Sequence, residues 1–256
     1  DKLAAEAALK YFLLGSLAAA FLLYGVAWVY GLTGSTNLVD VRAALWGLSP
    51  GGPQALTSAA AALLFVGLAF KVAAWPFQSW APDVYQGAPA PVAGFLSAGP
   101  KAAAFAVLLR VFWAGFGPIR SRWDTLLWLS ALLTMAVGNF AALRQTNLKR
   151  MLGYSSIAHA GYVLVAVAAQ SAAGVAAVMF YLAAYACMNL GAFAVAAHVG
   201  GRGEKRVEIA DLAGLSVRRP EAALLLALFL LSMIGVPLTG GFLAKFYAFK
   251  AAIEGD

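Results

Sequence analysis

Charged residues are scarce in this sequence. Lysine, arginine, aspartate and glutamate together make up 11% of the 256 residues, whereas soluble domains carry about 25%. So few charges cannot cover the surface of a soluble globular protein, and 62% of the residues are hydrophobic. The composition therefore predicts an integral membrane protein.

Cysteine and histidine are also nearly absent. A single cysteine, Cys187, excludes an internal disulfide and a redox pair. Two histidines, His159 and His198, are too few for a recognisable metal-ligand cluster. No glycine-rich phosphate loop is present, so nucleotide binding is not expected. The net charge of +7 lies mostly between apolar runs, where it indicates membrane orientation rather than nucleic acid binding.

Long apolar runs occupy most of the chain. A helix needs about 20 apolar residues to cross the hydrocarbon core, and seven runs are long enough: 9–31, 56–80, 91–116, 123–143, 150–170, 173–199 and 221–250. Alternating strands of barrel type are absent, so helices must satisfy the backbone in lipid. The sequence predicts an all-α, polytopic membrane helical bundle with about seven spans. Residues 1–256 would form a single membrane domain.

The loops report the orientation of this bundle. With seven spans, one side carries ten basic residues and the other carries four. The first set is Lys2, Lys10, Arg144, Lys149, Arg150, Arg202, Lys205, Arg206, Arg218 and Arg219; the second is Arg42, Arg120, Arg122 and Lys250. The positive-inside bias makes the first side cytoplasmic. Loop 32–55 contains a candidate amphipathic helix at Leu38–Leu48, and loop 200–220 a candidate surface helix before Pro220.

Three sites interrupt the helical pattern. They are Ala74-Trp75-Pro76, Gly99-Pro100, and Gly235-Val236-Pro237 with Gly240-Gly241. Proline removes a backbone hydrogen bond and glycine weakens a helix, so we expect a break at each. Interrupted helices in membranes mark transport sites, because protein or water must satisfy the freed groups.

Three lysines lie deep in the predicted spans. Lys71 is about 22 Å along its helix from Leu56. If the span ends at Pro76 this lysine can reach the interface, whereas if a broken helix continues past Pro76 it lies near the middle. Lys101 is about 15 Å from Pro91, near the midplane. Lys245 follows Pro237 by eight residues in an apolar stretch. Intramembrane charges are expensive and usually functional, and a desolvated lysine can take up and release a proton near neutrality. The pattern favours proton handling over inert structural charges.

Two further groups have weaker signals. His159 lies among Ser155, Ser156 and Tyr162, which suits a proton relay but equally a buried structural histidine. Glu6 and Lys10 are spaced as a helix-supporting ion pair.

Three stretches carry a specific resemblance: AFKVAAWPFQSWAPDVYQGAPAPVAGFLSAGPKAAAF, GNFAALRQTNLKRMLGYSSIAHAGY and GVPLTGGFLAKFY. They resemble subunit N of the proton-pumping NADH-quinone oxidoreductase, respiratory complex I. DVYQGAPAPV separates that subunit from its sister subunits L and M. The resemblance implies an antiporter-like inverted-repeat fold of about fourteen spans with two discontinuous helices. This chain, which begins without Met, would be an internal fragment from the sixth span through the twelfth, lacking the family's glutamate in the fifth.

The same resemblance implies roles for individual residues. Lys71, Lys101 and Lys245 match the lysines of the seventh, eighth and twelfth spans, which translocate protons. His159 matches a histidine on the hydrated axis between the half-channels, and Lys10 an auxiliary lysine. Gln78 replaces a histidine found in some members, which weakens a relay role there.

The resemblance also implies partners and location. The chain would bind no cofactor itself; NADH, FMN, iron–sulfur clusters and quinone would lie elsewhere in the complex. Its partners would be neighbouring antiporter-like and small membrane subunits and the lipid bilayer, with no nucleic acid. The location would be the bacterial inner (plasma) membrane, as a multi-pass protein.

Two alternative functions remain. One is a subunit of a multi-subunit cation/proton antiporter, and the other is a membrane scaffold without transport.

Overall fold

A computed structural model describes residues 2–47, 54–201, 203–204 and 206–255. Two basic residues of the predicted cytoplasmic side, Arg202 and Lys205, lie outside these ranges, as does Leu48. The helices are α1 Lys2–Thr33, α2 Leu38–Gly47, α3 Gln54–Val72, α4 Trp80–Gly87, α5 Ala90–Leu108, α6 Asp124–Ala142, α7 Leu148–Ala168, α8 Ala172–Gly200, α9 Leu215–Arg218, α10 Pro220–Ile234 and α11 Gly240–Glu254.

Six helical segments are long and apolar enough to cross a membrane, and they correspond to the first six predicted spans. The third is extended by a π-helical stretch, Leu109–Gly115, which follows α5 directly. The seventh predicted span is divided between α10 and α11, which are 15 residues each. The prediction of an all-helical membrane bundle is confirmed across the described part of the chain.

Glycines allow the long helices to approach closely. A Cβ at Gly67 of α3 would lie 2.5 Å from Leu22 Cβ of α1. A Cβ at Gly138 of α6 would lie 2.4 Å from the Ala158 nitrogen of α7. Within lipid no hydrophobic force drives helices together, so their association depends on close packing. Small residues allow the helix backbones to come close enough for that packing. The result is that α7 is buried along most of its length at the centre of the bundle.

The first break lies between α3 and α4. The α-helix ends at Val72, Ala73 adopts φ 60°, and the Trp75–Pro76 peptide is cis. Two side chains of α6 bind the exposed backbone: the Trp75 N–H donates to Thr134 Oγ1 at 2.8 Å, and Ser130 Oγ donates to the Trp75 carbonyl at 3.0 Å. These bonds replace the helical ones that the break removes, as membrane depth requires.

The second break lies between α10 and α11. Gly235 closes α10 with φ 91°, the left-handed conformation that glycine adopts without strain. Thr239 then caps α11, its Oγ1 accepting from the Phe242 N–H at 3.3 Å. The prediction of two discontinuous helices is confirmed.

Two local predictions were wrong. No break occurs at Gly99-Pro100, since α5 continues through Pro100 to Leu108. A single proline removes one N–H donor, and a helix held by neighbours tolerates that loss inside a bundle. The stretch between the predicted spans 56–80 and 91–116, which those bounds leave as a loop, instead contains most of α4.

The long loop after α8 is docked rather than free. Residues 206–208 pair with the start of α7 through an isolated antiparallel bridge between Asn147 and Glu208. A short 3₁₀ turn, Ile209–Leu212, and α9 stand where a surface helix was expected. The predicted amphipathic helix of the earlier loop is α2, which buries Val41 and Leu45.

Candidate proton-transfer site

Lys101 is a buried charge on α5. The residue is 2% exposed, and its Nζ donates to the Ser156 carbonyl at 2.8 Å and to Ser156 Oγ at 2.5 Å on α7. The Nζ also lies 5.6 Å from the centre of the Tyr185 ring of α8. Among the described residues no carboxylate forms an ion pair with it. A protonated lysine here therefore depends on dipoles, which is costly in a membrane interior.

His159 lies on the same helix as Ser156 and is 4% exposed. Its Nδ1 is 2.7 Å from the Tyr181 hydroxyl of α8. The ring is tilted against Tyr185, with centroids 5.1 Å apart, and lies edge-on to Tyr162 at 5.9 Å. His159 thus shares one aromatic neighbour, Tyr185, with Lys101.

Lys245 lies on the other side of Tyr162. Its Nζ donates at 2.9 Å to each of the carbonyls of Met233 and Ile234 at the end of α10. The same atom lies 4.7 Å from the centre of the Tyr162 ring. The break after α10 therefore supplies acceptors for the Lys245 ammonium, since its last carbonyls have no helical partner.

These contacts order the predicted residues into a row. Lys101, His159 and Lys245 are linked through Tyr185 and Tyr162 rather than through direct bonds. A groove of about 620 Å³ reaches His159 and Lys245. Its lining also includes Gln145 and Ile209, near the loops predicted to be cytoplasmic.

Lys71 lies apart from that row. It occupies the last turn of α3, just before the first break, and its side chain is exposed. Its Nζ donates to the Tyr11 hydroxyl of α1 at 3.3 Å and lies near the rings of Tyr11 and Phe70. The groove beside it is formed by α1 and α3.

Lys10 is held by acids. Its Nζ donates to Asp83 Oδ2 and lies 2.7 Å from Glu6 Oε1, which confirms the expected pair. Asp83, on α4, also accepts from Arg150 Nη1 of α7 at 2.5 Å. Burial acts to raise the pKa of Asp83, but the hydrogen bonds from Lys10 and Arg150 outweigh it and lower that pKa below the ordinary value of an aspartate. Asp83 therefore joins three helices as a carboxylate.

Several residues of the site could not be found from the sequence. Tyr181 and Tyr185 contact the basic groups, and Ser130 and Thr134 bind the first break. The sequence places Ser156 beside His159 but gives no sign of its bonds to Lys101. Hydroxyl residues are ordinary in membrane helices, so their type alone carries no signal. Their spacing offers one clue: Tyr181 and Tyr185 are four residues apart and share a helix face.

The comparisons with known proteins decide the family. The sequence profile described as "NADH:quinone oxidoreductase/Mrp antiporter, TM" matches residues 1–256. The chain belongs to this family. It is accordingly a multi-pass protein of the bacterial inner membrane.

In the described residues no group of three or more His, Cys, Asp or Glu could hold a metal.

One curated relative is NADH-quinone oxidoreductase subunit N 1 of Solibacter usitatus. It is 62% identical over 254 residues, which is 99% of this chain and 52% of the relative. The chain thus spans about half the length of the curated relatives it matches. The resemblance to subunit N that the sequence motifs indicated is confirmed.

Two solved structures have the same fold. A chain of respiratory complex I from Thermus thermophilus is 45% identical, with a TM-score of 0.82. The match covers 98% of the present chain and 53% of the Thermus chain. A chain of the Mrp complex from Dietzia sp. DQ12-45-1b is 25% identical with a TM-score of 0.88, matching 98% and 46% respectively.

Proposed function

We propose that this chain is the proton-translocating part of a membrane subunit of NADH-quinone oxidoreductase. The complete subunit couples electron transfer from NADH to quinone to proton pumping. The observation that carries the proposal is Lys101, a lysine 2% exposed that, among the residues the structure describes, is hydrogen-bonded only to two oxygens of Ser156. A lysine without a counter-charge can be discharged at low cost, as a relay requires.

The other basic residues take defined places in this function. Lys101 exchanges protons with His159 and Lys245 across the tyrosines between them, with water completing the gaps. Lys71 receives or delivers protons at the first break, and Lys10 is an auxiliary residue whose acidic partners fix its charge. The second discontinuous helix offers its last two carbonyls, those of Met233 and Ile234, to Lys245.

The cofactors and partners follow from this assignment. The chain binds no redox cofactor; NADH, FMN, iron–sulfur clusters and quinone are held by other subunits of the complex. Its protein partners are neighbouring antiporter-like and small membrane subunits. In this arrangement the chain responds to a distant redox reaction rather than carrying electrons.

A second candidate is a subunit of a cation/proton antiporter without a redox partner. The observation in its favour is the TM-score of 0.88 with a chain of the Mrp complex. Sequence identity favours the first function, since it is 45% with a complex I chain and 25% with the Mrp chain.

Proton pumping by the whole complex in vesicles tests the proposal. Lys101→Ala in the full-length subunit is expected to abolish most NADH-driven pumping and coupled quinone reduction while the complex still assembles. Lys101→Arg should be similarly damaging, because guanidinium does not release its proton in the working range. Lys250→Ala is the matched control, since that lysine is exposed and pairs with Glu254.

Normal pumping by an assembled Lys101→Ala complex would overturn the relay. If Lys101→Ala instead abolished sodium-dependent proton exchange and the preparation had no NADH-driven activity, the antiporter function would be the correct one.

A further inference from the structure

Helices α5 and α8 face each other at three successive levels beside the relay. Lys101 lies against Tyr185, Ser97 against Asn189, and Gly94 against Phe193. The residues of each helix are three or four positions apart, so each set shares one helix face. All six residues are buried. The three levels lead from Lys101 toward the start of α5, on the side predicted to be cytoplasmic.

The middle level is polar and incompletely bonded. Asn189 Nδ2 donates to Ser97 Oγ, and Ser97 Oγ donates to the Gly94 carbonyl at 2.6 Å. Asn189 Oδ1 and the hydroxyls of Tyr185 and Tyr85 are buried with no hydrogen-bond partner in the described structure. The Tyr185 hydroxyl nevertheless lies beside the side chains of Ser97 and Ser156.

Unpaired buried polar atoms are expensive and are rare in native proteins. A buried water commonly satisfies two to four such atoms at once. Lys101 also has a spare donor, since an ammonium has three and Ser156 accepts two. The middle level therefore has the chemistry of a site for ordered water next to Lys101.

The third level is apolar and closes this site. Phe193 is 1% exposed, and its ring lies edge-on to Tyr85 with centroids 6.0 Å apart. A Cβ at Gly94 would lie 3.0 Å from Phe193 Cβ, so glycine lets the phenylalanine reach the α5 backbone.

Ionic contacts are found one helical turn before Gly94, at the start of α5. The Ala90 N–H donates to Glu204 Oε1 at 2.5 Å. Lys149 Nζ bonds both Glu204 Oε2 and the Ala88 carbonyl. One layer of apolar side chains thus separates the polar atoms beside Lys101 from an ion pair at the loop end of the helices.

We propose that Ser97, Asn189, Tyr185 and Tyr85 hold a short chain of ordered water molecules, the water branch. This branch supplies Lys101 with protons from the side predicted to be cytoplasmic, and Phe193 is its gate. Water enters when the Phe193 ring moves away from Gly94. The supply of protons rests on the function proposed above, whereas the water branch and its gate do not.

Thiol accessibility in the complete complex tests the gate. Ser97→Cys is introduced with Cys187→Ser, which leaves this part of the subunit one thiol at the middle level. The probe is a small cationic methanethiosulfonate added from the loop side. Phe193→Ala is expected to raise the labelling rate at position 97 about tenfold, because the deleted ring leaves a cavity. Phe193→Leu, the control that keeps an apolar side chain, should leave the rate nearly unchanged.

An unchanged labelling rate in an assembled Phe193→Ala complex would overturn the gate. So would labelling with Phe193 intact as fast as at an exposed position such as Leu143 replaced by cysteine. Labelling does not depend on pumping: a Phe193-dependent rate together with normal pumping by Lys101→Ala would overturn the proposed function and keep the branch.

A second measurement tests the proposal even if the complex with Phe193→Ala does not assemble. Asn189→Leu removes the polar middle level with little change in volume and should reduce NADH-driven pumping severalfold. Asn189→Ser keeps a hydroxyl there and should restore most of the loss, which a purely structural role would not predict. Full pumping by an assembled Asn189→Leu complex would overturn the role of the branch in proton supply.

Discussion

At the scale of single residues, Lys101 depends on one neighbour. Ser156 offers both its hydroxyl and its carbonyl to the same nitrogen. The carbonyl belongs to α7 and stays when the side chain changes, whereas the hydroxyl can be removed alone. This makes Ser156 a sensitive probe of how the relay lysine is held.

Ser156→Ala is expected to reduce coupled proton pumping about tenfold, because a hydrogen bond to a charged group contributes about 1.5–3 kcal/mol. The loss should stay smaller than that of Lys101→Ala, since the carbonyl still accepts. Pumping rates in reconstituted vesicles check this result. Ser155→Ala is the control on the adjacent residue, whose hydroxyl lies near Met233 instead. Equal rates for the two variants would contradict the assigned role.

At the scale of elements, the two breaks are stabilised in different ways. The first is held from outside by Ser130 and Thr134 of α6. The second is stabilised by residues within the break itself, the left-handed Gly235 and the cap formed by Thr239. A different substitution therefore tests the stability of each break.

Thr134→Val is expected to destabilise the protein by about 1–3 kcal/mol, since the Trp75 N–H would lose its acceptor at a partly buried site. Valine has nearly the same shape, so packing is preserved. Thermal unfolding in detergent is the measurement. Thr125→Val, on the exposed first turn of the same helix, should change the midpoint little. A stable Thr134→Val protein would mean that α6 does not support the break.

Gly235→Ala is expected to cost about 1–2 kcal/mol, because an L-residue is strained in the left-handed region. The added Cβ would also lie 3.3 Å from Lys245 Cδ, so pumping should fall with stability. Unfolding midpoints and pumping rates are compared with those of Gly31→Ala, an exposed helical glycine with open space around it. Matching behaviour of the two variants would contradict the strain argument.

At the scale of the whole molecule, Asp83 ties α4 to α1 and α7 through Lys10 and Arg150. Its lowered pKa means that the folded state favours the carboxylate more than the unfolded state does. The resulting stability is therefore present above about pH 4, the ordinary pKa range of aspartate. It is lost as the pH falls through the lower value of the folded protein.

Asp83→Asn should accordingly be less stable than the parent at neutral pH, with a difference that shrinks as the pH is lowered below about 4. Thermal midpoints of both proteins across the acidic range provide the comparison. Asp40→Asn, a change at an exposed carboxylate on α2, should show a smaller difference at neutral pH. A gap between Asp83→Asn and the parent that is independent of pH would argue against an ionic role.

The sequence by itself determined the membrane class, six of the spans, the two broken helices and the three lysines. Each follows from a local cause: apolar length, proline or glycine, and an isolated charge in an apolar run. The same local logic misassigned Pro100, because the sequence does not reveal that α5 is supported by the helices around it.

Only the tertiary structure decided which groups meet. Ser156 reaches Lys101 across 55 positions of sequence, and Thr134 reaches Trp75 across 59. Such pairings depend on how α5, α6, α7 and α8 are rotated and offset against one another. That arrangement is set by close contacts such as Gly138 on Ala158, and a contact between distant positions leaves no periodic trace in one sequence. For this reason the lysines could be singled out from the sequence. The bonds of Ser156 to Lys101, the tyrosine contacts between Lys101, His159 and Lys245, and the position of Phe193 beside them could not.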